Sequence, residues 1–245
     1  MKRFTELRKD AGLTLVELMV ATAITGLVAI LTTTLVIGVQ RTNQENVLRQ
    51  DQVDHARVAV EAMSRTLRSA VKPSQVTRAC SVGCEDIEAF QQGSRFRVQF
   101  YANVDNENNA VGPRRVTYEV PLTGADAGTL VETVQRPNAA DPSNGIYQYC
   151  TPGSSGCADR IATRTLARDV VTSSRALLRY FDAAGTELVP PANGSLTAAQ
   201  LRSVLSVELT VIVESAEGGV RPKPTTYIQR ILMPNAQVVI KAGDS

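Results

Sequence analysis

The 245-residue chain reads as an α+β protein, with a long N-terminal helix packed on an antiparallel β-sheet ectodomain. The helix is membrane-spanning in its first half and amphipathic in its second. Three observations predict this. From Leu18 to Gln40 run 23 residues without a formal charge; as a helix they span roughly 35 Å at about 1.5 Å per residue, against a hydrocarbon core of about 30 Å. Behind them Val53, Ala56, Val60, Met63, Leu67 and Ala70 recur at spacings of three and four, an apolar stripe on a helix. Beyond Pro73 the period falls to two, in short runs separated by Asn, Gly and Pro clusters.

Taken in order, the elements justify themselves. Lys2, Arg3, Arg8 and Lys9 precede the apolar run, so the positive-inside rule keeps the N-terminus cytoplasmic and exports the chain beyond Arg41. A secretory signal peptide fits poorly: the apolar region is too long, and no small-x-small cleavage site comes after it. A plain signal anchor is the other alternative. One carboxylate, Glu17, stands immediately before this run in an otherwise uncharged stretch, and at mid-bilayer a carboxylate costs about 2.5–3.5 kcal/mol on insertion scales. Further on, Arg57, Glu61 and Arg65 succeed one another at i,i+4 on a solvated face, His55 reads as an exposed bystander, and Pro73 ends the helix near Lys72. Strands are expected at 95–101, 114–120, 129–136, 175–181, 203–213 and 225–233.

Composition narrows the function. The net charge of +2, the absence of Trp and the single His leave little for nucleic-acid recruitment, aromatic platforms or His-based metal chemistry. The arginine pairs Arg95/Arg97 and Arg114/Arg115 read as separated, exposed charges on strand faces rather than a nucleic-acid contact. No GxGxxG, Walker loop or GxSxG occurs, and neither a catalytic constellation, a cofactor nor a metal site is expected. The run "NVDNENNAVG" could offer oxygens to calcium from Asp105, Asn106, Glu107 and Asn108, but the same residues favour a hairpin turn for backbone reasons. The four cysteines form two close pairs, Cys80/Cys84 and Cys150/Cys157, on the exported side. There an even number reads as a disulfide framework; "CSVGC" and "CTPGSSGC" favour local bridges, with a four-thiolate zinc site or free thiols as alternatives.

The stretch "AGLTLVEL" resembles the processing site of type IV prepilins and type II secretion pseudopilins. The resemblance implies cleavage by prepilin peptidase between Gly12 and Leu13, N-methylation of Leu13, and Glu17 in the position of the family's glutamate. The chain is then divided into a leader (1–12), a transmembrane and assembly helix (13–40), an amphipathic helix on the ectodomain (41–72) and the extracytoplasmic part (73–245). The α-amine created at Leu13 would be largely cationic at neutral pH, and pairing with Glu17 of a neighbouring subunit lowers the cost of both charges. Alternatively Glu17 faces its own helix N-terminus, where the macrodipole favours a negative charge. Two departures stand out: leucine begins the mature chain where the family usually has phenylalanine, and Thr34 stands where major pilins often have a helix-breaking proline.

"RRVTYEV", "LVETVQR", "LARDVVTSSRALLRYFDAAGTEL" and "YIQRILMPN", in that order, resemble the ectodomains of W-type minor pilins and J-type pseudopilins. Glu17 argues against the K-type tip pseudopilin. The resemblance implies a single-pass protein of the cytoplasmic membrane, surrounded by lipid before assembly. Its expected partners are the peptidase, other major and minor pilins or pseudopilins, and an inner-membrane assembly platform. A membrane-anchored binding or adhesion protein that never polymerises is the competing class.

Overall fold

The structure is a computed structural model that describes residues 14–76, 87–143, 145–215, 219 and 221–236. The chain divides into two compact units, Met1–Val47 and Leu48–Ser245. One helix, α1 (Leu15–Arg68), supplies the described residues of the first unit after Thr14 and the start of the second. Its N-terminal part is apolar on every side, with Leu15, Leu18, Leu27, Ile30 and Leu35 all more than half exposed. Such a helix buries no core of its own and suits lipid or other helices.

From Leu48 onward α1 becomes one-sided. Ala56, Ala59, Val60, Met63 and Leu67 are fully buried, while Arg57 and Glu61 pair on the solvent side at 2.8 Å. Val53, expected in the buried stripe, is 39% exposed; Gln52 is buried in its place. Oriented to satisfy its surroundings, the Gln52 amide accepts from the Ser215 N–H (3.0 Å) and donates to the Lys223 carbonyl (3.1 Å) and Thr225 Oγ1 (3.2 Å). A polar side chain thus meets backbone groups at the loop end of a hairpin, where an apolar one would have left them unpaired. The helix ends at Arg68, four residues before the expected Lys72. The reason is a better partner: Ala70 bridges to Ala102, and the Val71 N–H donates to the Tyr101 carbonyl at 2.9 Å.

Nine strands come next among the described residues, in two antiparallel sheets rather than one. The first is a meander of β1 (Phe90–Gly93), β2 (Arg97–Ala102), β3 (Arg114–Glu119), β4 (Leu130–Gln135) and β5 (Ile161–Ala167), each beside the next. The second comprises β6 (Leu178–Phe181), β7 (Glu187–Leu188), β8 (Ser206–Val213) and β9 (Thr225–Leu232), in the order β7-β6-β8-β9. A short helix, α2 (Ala198–Ser203), begins where Thr197 and Gln200 form a capping box, and takes Ser203, so the strand expected at 203–213 starts only at Ser206. β3 shows the alternation that predicts it, buried and half-buried residues in strict turn.

Both sheets and the second half of α1 share one core, in which Met63 and Leu67 join Phe100, Val116 and Tyr118 of the first sheet and Tyr180, Leu209 and Val211 of the second. The sheets meet near Gly93, where an added Cβ would stand 3.1 Å from the Tyr180 ring. The absent side chain admits the ring, whose hydroxyl donates to the Ser94 carbonyl at 2.8 Å. Tyr118 is equally buried and donates to Glu132 Oε1 at 2.6 Å. Burial raises the pKa of both phenols, and the neighbouring Glu132 carboxylate raises that of Tyr118 further.

A raised phenol pKa means that the folded protein keeps a proton which the unfolded chain releases near pH 10. The stabilisation is therefore complete below about pH 10 and is lost as pH rises beyond it. The urea midpoint, tracked by the β-sheet circular dichroism signal, should fall between pH 9 and about pH 11.5. The Tyr118→Phe variant should be less stable than wild type at pH 8 by about 1–2 kcal/mol, because Glu132 loses a buried donor, and should show a shallower alkaline fall.

Candidate functional site

Thr14 has the geometry of an N-cap. Its carbonyl accepts the first helical bond from Leu18 (3.2 Å), and its Oγ1 accepts from the Glu17 N–H (3.3 Å). Glu17 reaches back: its Oε2 accepts from the Thr14 N–H (2.9 Å) and the Thr14 hydroxyl (3.0 Å). This is the reciprocal Thr-x-x-Glu capping box, and "TLVE" carries its signature in plain sight. The reading of Glu17 from its charge alone, toward a neighbour or the macrodipole, gives Thr14 no part; the structure makes Thr14 its immediate partner. The box uses one carboxylate oxygen. Glu17 Oε1 has no donor among the described residues, and Gly12 and Leu13 lie outside them.

The surrounding helix has met its other polar demands. Thr22, Thr25, Thr32, Thr33 and Thr34 each donate a hydroxyl hydrogen bond to a carbonyl three or four residues back, at 2.8–3.0 Å. Thr34, in the place of the proline, thus keeps its backbone N–H and satisfies its side chain locally. Gly26 and Gly38 have nothing within 4 Å of where a Cβ would stand, and they leave shallow spots on the helix for a neighbour to approach. α1 contains a stretch with a mean hydropathy of 2.2, none of it buried within the chain.

In the larger unit Cys150 and Cys157 are disulfide-bonded with Cα atoms 5.6 Å apart; Cys80 and Cys84 lie outside the described residues. The stapled loop is fastened to the first sheet. Gln135 donates to the Cys150 carbonyl at 2.6 Å, the Tyr149 hydroxyl donates to the Pro113 carbonyl at 2.8 Å, and Tyr149 stacks on Tyr101 and also contacts the Arg115 guanidinium through its ring. Gly112, at φ +83°, leaves room for Tyr147, whose ring would lie 2.4 Å from any Cβ there.

The Asp105–Asn108 stretch is the β2–β3 turn. Asn106 organises it: its Oδ1 accepts from the Val111 and Gly112 N–H groups (2.8 and 3.1 Å), and its Nδ2 donates to Asn103 Oδ1 (2.8 Å). That oxygen is taken up by the backbone. The arginine pairs need one correction. Arg114 is buried, 8% exposed, rather than solvated, because its position belongs to the inward-facing set of β3. Arg97 pairs with Glu119 at 2.7 Å, the cross-strand partner in the β2–β3 register.

Removing the staple is a direct test of the loop's contribution. A Cys150→Ser/Cys157→Ser double variant should lose about 2–3 kcal/mol by the loop-entropy relation for a short loop. Urea denaturation of the purified chain measures the loss, and an unchanged midpoint would mean that Gln135 and Tyr149 alone hold the loop.

Residues 7–33 match the family model of the prokaryotic N-terminal methylation motif. No curated protein and no solved structure matches the chain. The matched segment ends inside α1 and takes in the capping box, Glu17 and most of the threonines that satisfy themselves. The motif implies processing by prepilin peptidase and assembly with other pilins, in a family of structural rather than enzymatic proteins. This segment, with the long apolar helix and the antiparallel sheets beyond it, supports the type IV prepilin and pseudopilin superfamily.

Proposed function

We propose that the protein is a minor pilin, a structural subunit and not an enzyme. Prepilin peptidase cuts it after Gly12 and methylates Leu13. The leader cations Lys2, Arg3, Arg8 and Lys9 hold the N-terminus in the cytoplasm while residues 13–40 span the cytoplasmic membrane amid lipid. An inner-membrane assembly platform then moves the chain into a type IV pilus, where it primes assembly or sits near the tip.

The supporting observation is the state of Glu17. Between Thr14 and Gln40 it is the one formally charged side chain, and one of its oxygens has no donor among the described residues. A neighbour's Leu13 amine offers the missing cation. The pair lowers the cost of two charges in hydrocarbon and selects one axial register between helices, as buried polar groups do in coiled coils. A J-type pseudopilin of a type II secretion pseudopilus would use the same spine. The order of the ectodomain strands suits it equally, so the filament that takes up the tagged protein distinguishes the two.

Two measurements test the reading. Mass spectrometry should find a mature chain beginning with methylated Leu13; a retained Met1 would favour the non-polymerising anchor. Glu17→Ala and Glu17→Gln should both be processed yet missing from sheared filaments. Gln can still complete a capping box but carries no charge, so filaments containing Glu17→Gln at wild-type levels would reduce Glu17 to a helix cap.

A further inference from the structure

Several cations of the larger unit face carboxylates: Arg97 with Glu119, Arg164 with Glu132, Arg179 with Glu187 and Glu208, Lys72 with Glu88. Three arginines that form no such ion pair among the described residues line one cleft of about 300 Å³. Arg114 opens β3, Arg136 comes just after β4, and Arg160 closes the 3₁₀ turn Ala158–Arg160 that leads into β5. Each is anchored through main-chain carbonyls. Arg114 donates to Val104 (3.3 Å) and Asp105 (3.1 Å), Arg136 to Asp159, and Arg160 to Pro137 (2.9 Å) and Asn138 (2.8 Å).

Carbonyl anchoring fixes a guanidinium without neutralising it. Asp105 and Asp159 also line the cleft, but among the described residues neither carboxylate forms an ion pair with these arginines. Arg114 is 8% exposed and its Nη1 has no acceptor. A buried charged group with an unmet donor is costly, by about 1–3 kcal/mol or more. Burial, and secondarily the nearby Arg136 guanidinium, lower the pKa of Arg114, in keeping with like charges held together here. A second cleft of about 380 Å³ shares Arg136, Asp159 and Arg160 and adds Pro137, Ala139 and Ala140 as apolar wall.

We propose that this double cleft binds a carboxylate presented by an acidic polypeptide segment of a partner protein. The guanidinium fork matches a carboxylate in two parallel hydrogen bonds, and side chains already fixed by carbonyls lose little entropy on binding. The two aspartates on the rim disfavour a dianion such as phosphate while leaving a net excess of one positive charge for a monoanion. Val134, Ile161 and Ala162 in one cleft and the alanines and proline of the other accommodate the aliphatic carbons that carry the acid. The site stands apart from the filament reading and would serve a pilin, a pseudopilin or an anchored protein alike.

The test uses the full chain in a neutral detergent with a dye-labelled, amidated Gly-Ala-Glu-Glu-Ala-Gly peptide, monitored by fluorescence anisotropy. The peptide should bind saturably and more weakly as salt rises. Its Gln-Gln counterpart should bind at least about tenfold more weakly. Arg136→Gln and Arg160→Gln should each cost about tenfold or more, whereas Arg95→Gln, outside these clefts, should change nothing. Should either variant misfold, the comparison of the two peptides on wild-type protein still decides. Absence of binding, equal affinity for the two peptides, or displacement of the acidic peptide by inorganic phosphate at equal concentration would overturn the proposal.

Discussion

Hydrocarbon offers no hydrogen bonds, and that constraint orders α1 from its cap to the end of its apolar half. A helix satisfies its own backbone, so the remaining demands come from side chains and from the helix start. Five threonines close their demands on carbonyls of the preceding turn, and Thr14 closes the start with its own hydroxyl. What is left over is half of a carboxylate. With the threonines satisfied within the helix, Glu17 alone between Thr14 and Val39 keeps an oxygen without a donor among the described residues, and in the proposed reading another chain supplies it. A polar residue satisfied at home cannot drive association; one satisfied only in part can.

The same helix answers a different constraint from Leu48 onward. There the sheets supply an apolar surface, and α1 turns one stripe to it while Gln52 and Ser64 reach polar groups of the β8–β9 hairpin. Ser64 donates to Gln229 at 2.9 Å. These two contacts bracket the buried run Ala56–Met63 and fix which residues of β9 lie beneath it. Apolar packing alone specifies a face, but it tolerates sliding along the helix by a turn; paired polar groups at both ends do not.

Some of this is legible in the amino-acid sequence, and the rest is concealed for physical reasons. β3, β8 and β9 are readable because a strand with one face on the core alternates, or is apolar throughout when both faces are covered. β1 ("FQQG") carries no alternation and is recruited by its neighbour β2. β5 ("IATRTLA") is an edge strand with four consecutive exposed residues, so nothing in its polarity separates it from a loop. The division into two sheets is invisible because each hairpin looks the same in sequence whichever sheet it joins. It depends on side-chain fit at Gly93 and Tyr180, far apart along the chain. At the N-terminus the capping box is present as a four-residue signature, but a carboxylate in an apolar run stands out for its charge and the threonine ahead of it does not.

Three elements meet where α1 gives way to strand, and charge sets the junction. Lys72, just past the helix, approaches Glu88 at 3.1 Å, and Arg202 of α2 approaches the other oxygen of the same carboxylate at 3.4 Å. Lys72 is buried, so its attraction to Glu88 largely offsets the cost of removing the ammonium from water and adds little net stability. Its effect is on alternatives. A chain that left the helix in another direction would bury Lys72 without Glu88, and an uncompensated buried charge costs far more than the pair gains. Together with the Ala70–Ala102 bridge, this penalty selects one exit for the chain, and with it the course that α1 takes across the core.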